Sequence, residues 1–382
     1  MSDHRISYVR RKWRWIAAVL LTSSAGITGF VLWFSGVLPM SGDPLFHGKA
    51  ESKWIANLKY RDDQQVEEWR AYGEEGVQVL IRGLERANRP GERAYRRFNQ
   101  LLPDFLRRWL PAPKRDSTQE TRERLVSLLW SLGSDAKSAT PVMIRTASTD
   151  EFHGVRQGAI GFFITSPGDN TLLNQIPAKE KKALLPALLR AVQDAGNWGL
   201  RNNAAILLKF YPEERDVVGP VLVKALQDSR PEVRLHAAEA LNRVAPEVAK
   251  KTGAPSMLVA FAKDPDDQLA SKAVDALGHS GSQPEVAVPA LIECLQSSNT
   301  LIASEAVWAL EWAPDGFTPY SDSIVPALAS AGQRKDSVGG YARVAHKRWL
   351  SRSNGEPDGP ANGSQPIRSE TNRTSSAAGS RR

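Results

Sequence analysis

The chain has 382 residues, 41% of them apolar and 24% charged, with 28 glycines, 24 prolines and one cysteine. That balance belongs to a folding chain and excludes collagen-like or wholly disordered character. The lone Cys294 excludes an intrachain disulfide framework and a four-cysteine zinc site. The net charge of +8 sits at the two ends, residues 1–14 and 346–382 each contributing +4, so residues 15–345 are neutral. A nucleic-acid reading based on charge alone loses its support.

The basic N-terminus, residues 1–14, holds Arg5, Arg10, Arg11, Lys12 and Arg14 against Asp3. Residues 15–38 then run without a charged side chain. As a helix rising about 1.5 Å per residue they reach roughly 36 Å, enough for a hydrocarbon core of about 30 Å. Trp13, Trp15 and Trp33 fall near the two interfaces. A transmembrane signal-anchor is expected, with residues 1–14 cytoplasmic and the rest on the far side. The rival is a cleaved secretory signal, whose apolar core of about 7–15 residues ends at a small-x-small site. No such site follows here.

A juxtamembrane segment, residues 39–72, carries Phe46–Leu58 and Trp69, and a turn is expected at Gly73–Gly76. Residues 73–134 read as degenerate helical repeats, with a helix pair over 76–110 and a helix over 119–132. Within them, residues 82–115 carry a net +7 in 34 residues. Arg93, Arg96, Arg97, Arg107 and Arg108 are a candidate docking patch for an acidic partner or anionic lipid. The plainer alternative is a solvated helix face.

From residue 135 a period emerges. Six segments align on Pro141, Pro186, Pro220, Pro255, Pro289 and Pro326, spaced 45, 34, 35, 34 and 37 residues apart. An aspartate follows the first four: Asp150, Asp194, Asp228 and Asp264. Further on comes a branched apolar residue: Val155, Leu200, Val233, Leu269, Ile302 or Val338. In the first three units Arg156, Arg201 and Arg234 follow it at once.

Each unit reads as two helices. In the clearest, Val217, Val218, Val221, Leu222, Ala225 and Leu226 form one stripe, and Val233, Ala237, Ala240, Leu241 and Val244 another. Pro220 is expected near the start of its helix, where an amide has no intrahelical partner. Neither pair can bury its stripe alone; stacking buries it between neighbours.

This pattern resembles the HEAT-repeat family, in the short form of phycobilisome-lyase-type repeats. The matching features are the proline, the turn aspartate, and Val233-Arg234 followed by Ala237-Ala238-Glu239-Ala240-Leu241. The resemblance implies an all-α fold, an α-solenoid of stacked two-helix repeats over 135–350, preceded by the one transmembrane helix. The whole chain is similar to bacterial membrane-anchored HEAT-repeat proteins. By the same resemblance, Asp150, Asp194 and Asp228 form a stacked structural ladder with Arg156, Arg201 and Arg234. Ser297 and Ala303 interrupt it further on. Residues 351–382, rich in Ser, Gly, Pro, Asn and Arg, read as a disordered tail.

Short chemical motifs carry little. Ser134–Lys137 is an S-x-x-K and Lys251-Thr252-Gly253 a K-T-G, but no S-D-N joins them and both fall in inter-helix turns. His236 and Glu239 stand one turn apart and are expected at the surface; a metal site needs a third ligand. Cys294 continues an apolar stripe and is expected in the core. Trp308 and Trp312 are expected to pack internally, with an exposed stacking or peptide-binding stripe as the alternative. No cofactor, metal or catalytic constellation is expected.

The expected function is that of a non-enzymatic scaffold. A membrane-tethered solenoid on the extracytoplasmic side of the cell membrane binds a protein or peptide partner along stacked helices. A nucleic-acid-binding or repair protein on the same scaffold is disfavoured by the neutral repeats. A lyase-like chromophore-handling protein rests on repeat resemblance alone, and a small-molecule substrate has no motif to support it.

Overall fold

A computed structural model describes residues 43–87, 101–103, 107, 115–164 and 171–353. The N-terminal 1–14, the expected membrane helix 15–38 and the tail beyond Ser353 lie outside them. Among the described residues no helix is long and apolar enough to cross a membrane. The chain divides at Gly158 into two compact units.

The first unit opens on a hairpin. His47 and Gly48 take positive φ (47° and 74°), as a two-residue hairpin turn requires. Strands β1 (Leu45–Phe46) and β2 (Lys49–Ala50) pair antiparallel, with Leu45 opposite Ala50. Sequence alternation gives no sign of it, because two residues are too few to alternate. Helices α1 (Glu51–Ala56), α2 (Asp63–Ala71), α3 (Gly73–Ala87), α4 (Arg115–Leu132), α5 (Thr140–Thr149) and α6 (His153–Gly161) follow. A 3-10 stretch, Gly133–Ala139, joins α4 to α5. The Asp62 carboxylate caps α2 by accepting from the Gln65 amide at 2.9 Å.

Gly73, at φ 56°, turns α2 directly into α3. The turn therefore ends there, and Gly76 is helical. A Cβ on Gly76 would lie 2.7 Å from Tyr72 Cβ, so glycine permits the close corner. Phe46, Trp54, Trp69 and Tyr72 interlock beneath it, and Trp54 Nε1 donates to the Phe46 carbonyl at 2.9 Å.

Glu51 is 1% exposed and accepts from Arg82 Nε at 3.0 Å and Arg86 Nη2 at 2.7 Å. Two cations of the basic stretch are thereby committed to an acid that lies outside it.

The second unit is built from helix pairs. They are α8 (Ala178–Ala191) with α9 (Trp198–Leu208), α10 (Arg215–Ala225) with α11 (Pro231–Val244), and α13 (Ala254–Phe261) with α14 (Asp267–Gly278). Then come α15 (Pro284–Leu295) with α16 (Thr300–Glu311), and α17 (Ser321–Ala331) with α18 (Ser337–Ser353). A short α7 (Leu172–Gln175) precedes them, and α12 (Pro246–Thr252) sits between α11 and α13. Each second helix packs on the next: α9 on α11, α11 on α14, α14 on α16, α16 on α18. First helices α13, α15 and α17 do the same.

The proline expectation needs correction. Pro141 and Pro255 do sit in the first turn, but Pro186, Pro220, Pro289 and Pro326 lie inside their helices. These first helices start well before their proline, α10 at Arg215 ahead of its apolar stripe, and run through it. Each gives up one main-chain bond there, a loss that the packed stack offsets.

Close approach sets the spacing of the second helices. A Cβ on Gly278 would meet Ala309 Cβ at 2.7 Å and its Cα at 3.0 Å. Gly278→Val should therefore cost about 1–3 kcal/mol of stability in denaturant unfolding, and Ala309→Gly should restore part of that loss in the double variant.

Candidate functional site

The residues that open the second helices, Leu200, Val233, Leu269, Ile302 and Val338, are all buried. Helical geometry then sets residues three, six and ten positions on along one face. In order from α9 to α18 these are Asn203, Ile206 and Phe210; His236, Glu239 and Arg243; Lys272, Asp275 and His279; Glu305, Trp308 and Trp312; Tyr341, Val344 and Arg348. Most are half-buried or exposed. The face passes from polar through charged to aromatic.

Its middle holds a buried charge cluster, which corrects the surface expectation for His236 and Glu239. Glu239 is 5% exposed. Lys209 Nζ donates to Glu239 Oε1 at 2.6 Å, His236 Nδ1 lies 3.3 Å from Oε2, and Arg243 Nη2 is 4.0 Å away. Burial alone would raise the Glu239 pKa, but Lys209, His236 and Arg243 outweigh it and hold the carboxyl well below its ordinary range. Burial pushes the His236 imidazole down, further assisted by Lys272 and Lys209 against the pull of Glu239.

The aromatic end also departs from expectation. Trp312 is 39% exposed and Trp308 half-buried, so neither is a simple core residue. The Arg348 guanidinium lies 4.0 Å over the Trp312 ring, with its Nη1 3.1 Å from Glu311 Oε1. The Trp308 and Tyr341 rings are 5.5 Å apart. Phe162, Phe163 and Tyr211 are buried, and so is Cys294, whose thiol burial pushes up to about 11.

The turn residues divide two tasks. Asp150, Asp194, Asp228 and Asp264 each accept, through Oδ1, the amide two residues on. Arg156, Arg201 and Arg234 each donate Nη1 to the main-chain carbonyl of Asp150, Asp194 and Asp228 respectively. Arg201 also reaches forward to the next unit, donating Nε to Asp228 Oδ2 at 2.6 Å. Burial would raise the Asp228 pKa, but Arg201 and the Arg230 amide hold it below its ordinary value. Asp150 is paired with Arg122 in the first unit, Nε to Oδ2 2.8 Å, both side chains almost wholly buried. Sequence reasoning missed Arg122, because Thr121 stands where later units carry a branched apolar opener.

Of the basic docking candidates, Arg107 donates Nε to the Leu102 carbonyl at 2.8 Å. Arg93, Arg96, Arg97 and Arg108 lie outside the described residues. In the first unit an open cleft of about 510 Å³ is lined by Asn57, Lys59, Tyr60, Glu120, Glu123 and Arg124. Its charges are of both signs, and Arg124 is already paired with Glu120. Among the described residues no His, Cys, Asp or Glu cluster is placed to hold a metal ion. The K-T-G stretch serves α12: Thr252 Oγ1 donates to the Val248 carbonyl, and Gly253 ends the helix at φ 73°.

Stacked two-helix units with Asp-capped turns define a helical-repeat scaffold. Residues 218–248 match the family described as HEAT repeat, and residues 254–337 the one described as HEAT repeats. The chain carries HEAT repeats in its C-terminal region. No curated protein matches it.

The buried cluster makes stability depend on pH. His236 is held neutral in the fold yet takes a proton once unfolded, so the unfolded state binds more protons below about pH 6.5. Stability should fall as pH drops from there. Glu239 adds a loss at lower pH, when acid forces its depressed carboxyl to protonate. His236→Asn should flatten the upper part of this profile, read as Tm across about pH 5 to 7.5. Glu239→Gln leaves Lys209 buried without its counter-charge and should cost about 3–5 kcal/mol.

Proposed function

We propose that the chain is a membrane-tethered HEAT-repeat scaffold that binds a protein or peptide partner along the second-helix face of its second unit. The observation that carries this is the face itself. Most of its positions are half-buried or exposed, and exposed aromatic side chains gather at one end of it. Such surfaces bind by shape and by a few aromatic anchors. No residue of the face is assigned a catalytic role.

The tether is residues 15–38, supported by their length, their lack of charge and the basic flank before them. It places the repeats outside the cytoplasm, on the periplasmic side in a bacterium. Tethering confines the scaffold to the membrane surface and raises its effective concentration towards partners there.

Cell fractionation and protease accessibility test the tether. The full chain should sediment with membranes, with its repeats cleaved by protease added outside the cytoplasmic membrane. Replacing residues 15–38 by a Ser/Gly segment should move it to the soluble fraction. Repeats protected from external protease would overturn the topology. Deleting residues 135–350 should abolish partner recruitment; recruitment that persists would overturn the scaffold.

A further inference from the structure

We infer that the chain's own Pro357–Pro360 segment docks on the aromatic end of the second-helix face, across α16 and α18. The inference goes beyond the scaffold reading and does not depend on it. Large apolar side chains exposed on a protein surface are ordinarily scattered. Here Trp312 (39% exposed), Tyr341 (41%) and Val344 (58%) stand on two stacked helices. Trp308 joins them through its contact with Tyr341. The cation on the patch, Arg348, is matched by Glu311. Charge therefore does not select the occupant; apolar contact with the rings does.

Two features point to that occupant. The first is where α18 ends. Along the paired helices Trp308 meets Tyr341, Trp312 meets Arg348, and the Ala313 carbonyl accepts from Arg352 Nη1 at 3.2 Å. The chain therefore leaves α18 at Ser353 on the side of Trp312. The second is the sequence that follows. Asn354-Gly355 favours a reversal, glycine being suited to the positive φ that closes a helix. Pro357-Asp358-Gly359-Pro360 is a P-x-x-P, whose extended left-handed helix repeats every three residues and sets both prolines on one side. Such segments dock on aromatic surface with little entropy left to lose. Glu356 and Asp358 fall on the other sides, away from the rings.

The lengths agree. At about 1.5 Å per residue, Arg348 lies roughly 7.5 Å, Val344 roughly 13.5 Å and Tyr341 roughly 18 Å back from Ser353 along α18. A segment returning from Gly355 at about 3.1 Å per residue brings Pro357 roughly 6 Å back, level with Arg348 on Trp312. It brings Pro360 roughly 15.5 Å back, between Val344 and Tyr341. A second copy stacked end-on meets charge instead. Arg343 and Lys347 lie on another side of α18. They stand exposed where α14 has buried Val274 and Gly278 and α16 has buried Val307 and Glu311. A charged outer side closes a repeat stack. A partner that uses the aromatic end of the face must displace the proline segment first.

The test places an oxazine dye, which indole quenches on contact, on Ala361→Cys of the intact purified chain. Cys294 is buried, with its thiol pushed up to about 11, so labelling is confined to the introduced thiol. The labelled chain should be strongly quenched, and equally so on dilution. Val344→Glu, a surface change with circular dichroism unaltered, should lower the docked-to-free ratio read from quenching at least about tenfold. Pro357→Ser combined with Pro360→Ser should do the same. Val217→Glu, on exposed α10 surface, should leave the ratio unchanged. Quenching that survives either the Val344 or the proline changes comes from the dye or from chance encounter, and overturns the docking. So does a tail that is unquenched without any further change. Quenching that fades on dilution assigns the segment to a second copy and overturns the intramolecular contact. Partner recruitment is read separately. Recruitment that ignores residues 135–350 removes the scaffold and leaves this contact standing; an unquenched tail removes this contact and leaves the scaffold standing.

Discussion

A helix pair with one apolar stripe has nothing inside itself to bury that stripe against, and this constraint governs the second unit. Each pair must lie on the next, so residues facing the neighbour are fixed by packing. Ala237, Ala238 and Ala240 are fully buried and small, which lets second helices approach. Gly278 against Ala309 is the tightest form of the same demand. Most residues on the remaining face of the second helices are released from it. That freedom is why one face runs from Asn203 through Asp275 to Trp312 while the buried openers stay uniformly aliphatic.

Stacking also creates an electrostatic task at every turn. The last carbonyls of a first helix have no intrahelical donor, and the chain must reverse within a few residues. A turn aspartate accepts the amide two residues on, and an arginine from the second helix donates back to the carbonyl. The arginine thus acts first as a carbonyl cap, and the pairing of Arg201 with Asp228 is added to that duty. The interruption at Ser297 and Ala303 supports this order of roles. Ser297 Oγ still accepts the Asn299 amide, replacing the aspartate. The missing arginine is made good by Arg334 of the following unit, whose Nη1 donates to the carbonyls of Leu295 and Ser297. The carbonyls stay capped although the sequence motif has lapsed.

What the sequence made legible follows from what repeats. Helix pairs, turn aspartates and buried openers recur with the period, so pattern reading finds them. Single events stay hidden: the hairpin at His47–Gly48 and Arg122 reaching Asp150 each occur once. Burial of a charged pair is hidden for another reason. His236 and Glu239 look like a solvated pair on an alanine-rich helix, and it is Lys209, arriving from the previous unit, together with Arg243 that supplies the charge making their burial tolerable. Proline position misled because local propensity forbids what tertiary packing can offset.

The aromatic end of the face has its own packing cause. Eleven residues beyond each opener lies a buried position, filled by Tyr211, Val244, Ser280, Ala313 and Trp349 in turn. In the last unit the largest side chain takes it, and Trp349 anchors itself by donating Nε1 to the Leu310 carbonyl at 2.8 Å. The space between α16 and α18 is thereby filled from one side. Trp308 and Trp312 are not needed there and stand outward, with Arg348 stacked on Trp312 and tied to Glu311. A guanidinium held in that way keeps an exposed indole in one orientation. An aromatic surface fixed before any partner arrives has little rotamer freedom left to lose on binding, which is the condition under which a small face can hold a peptide.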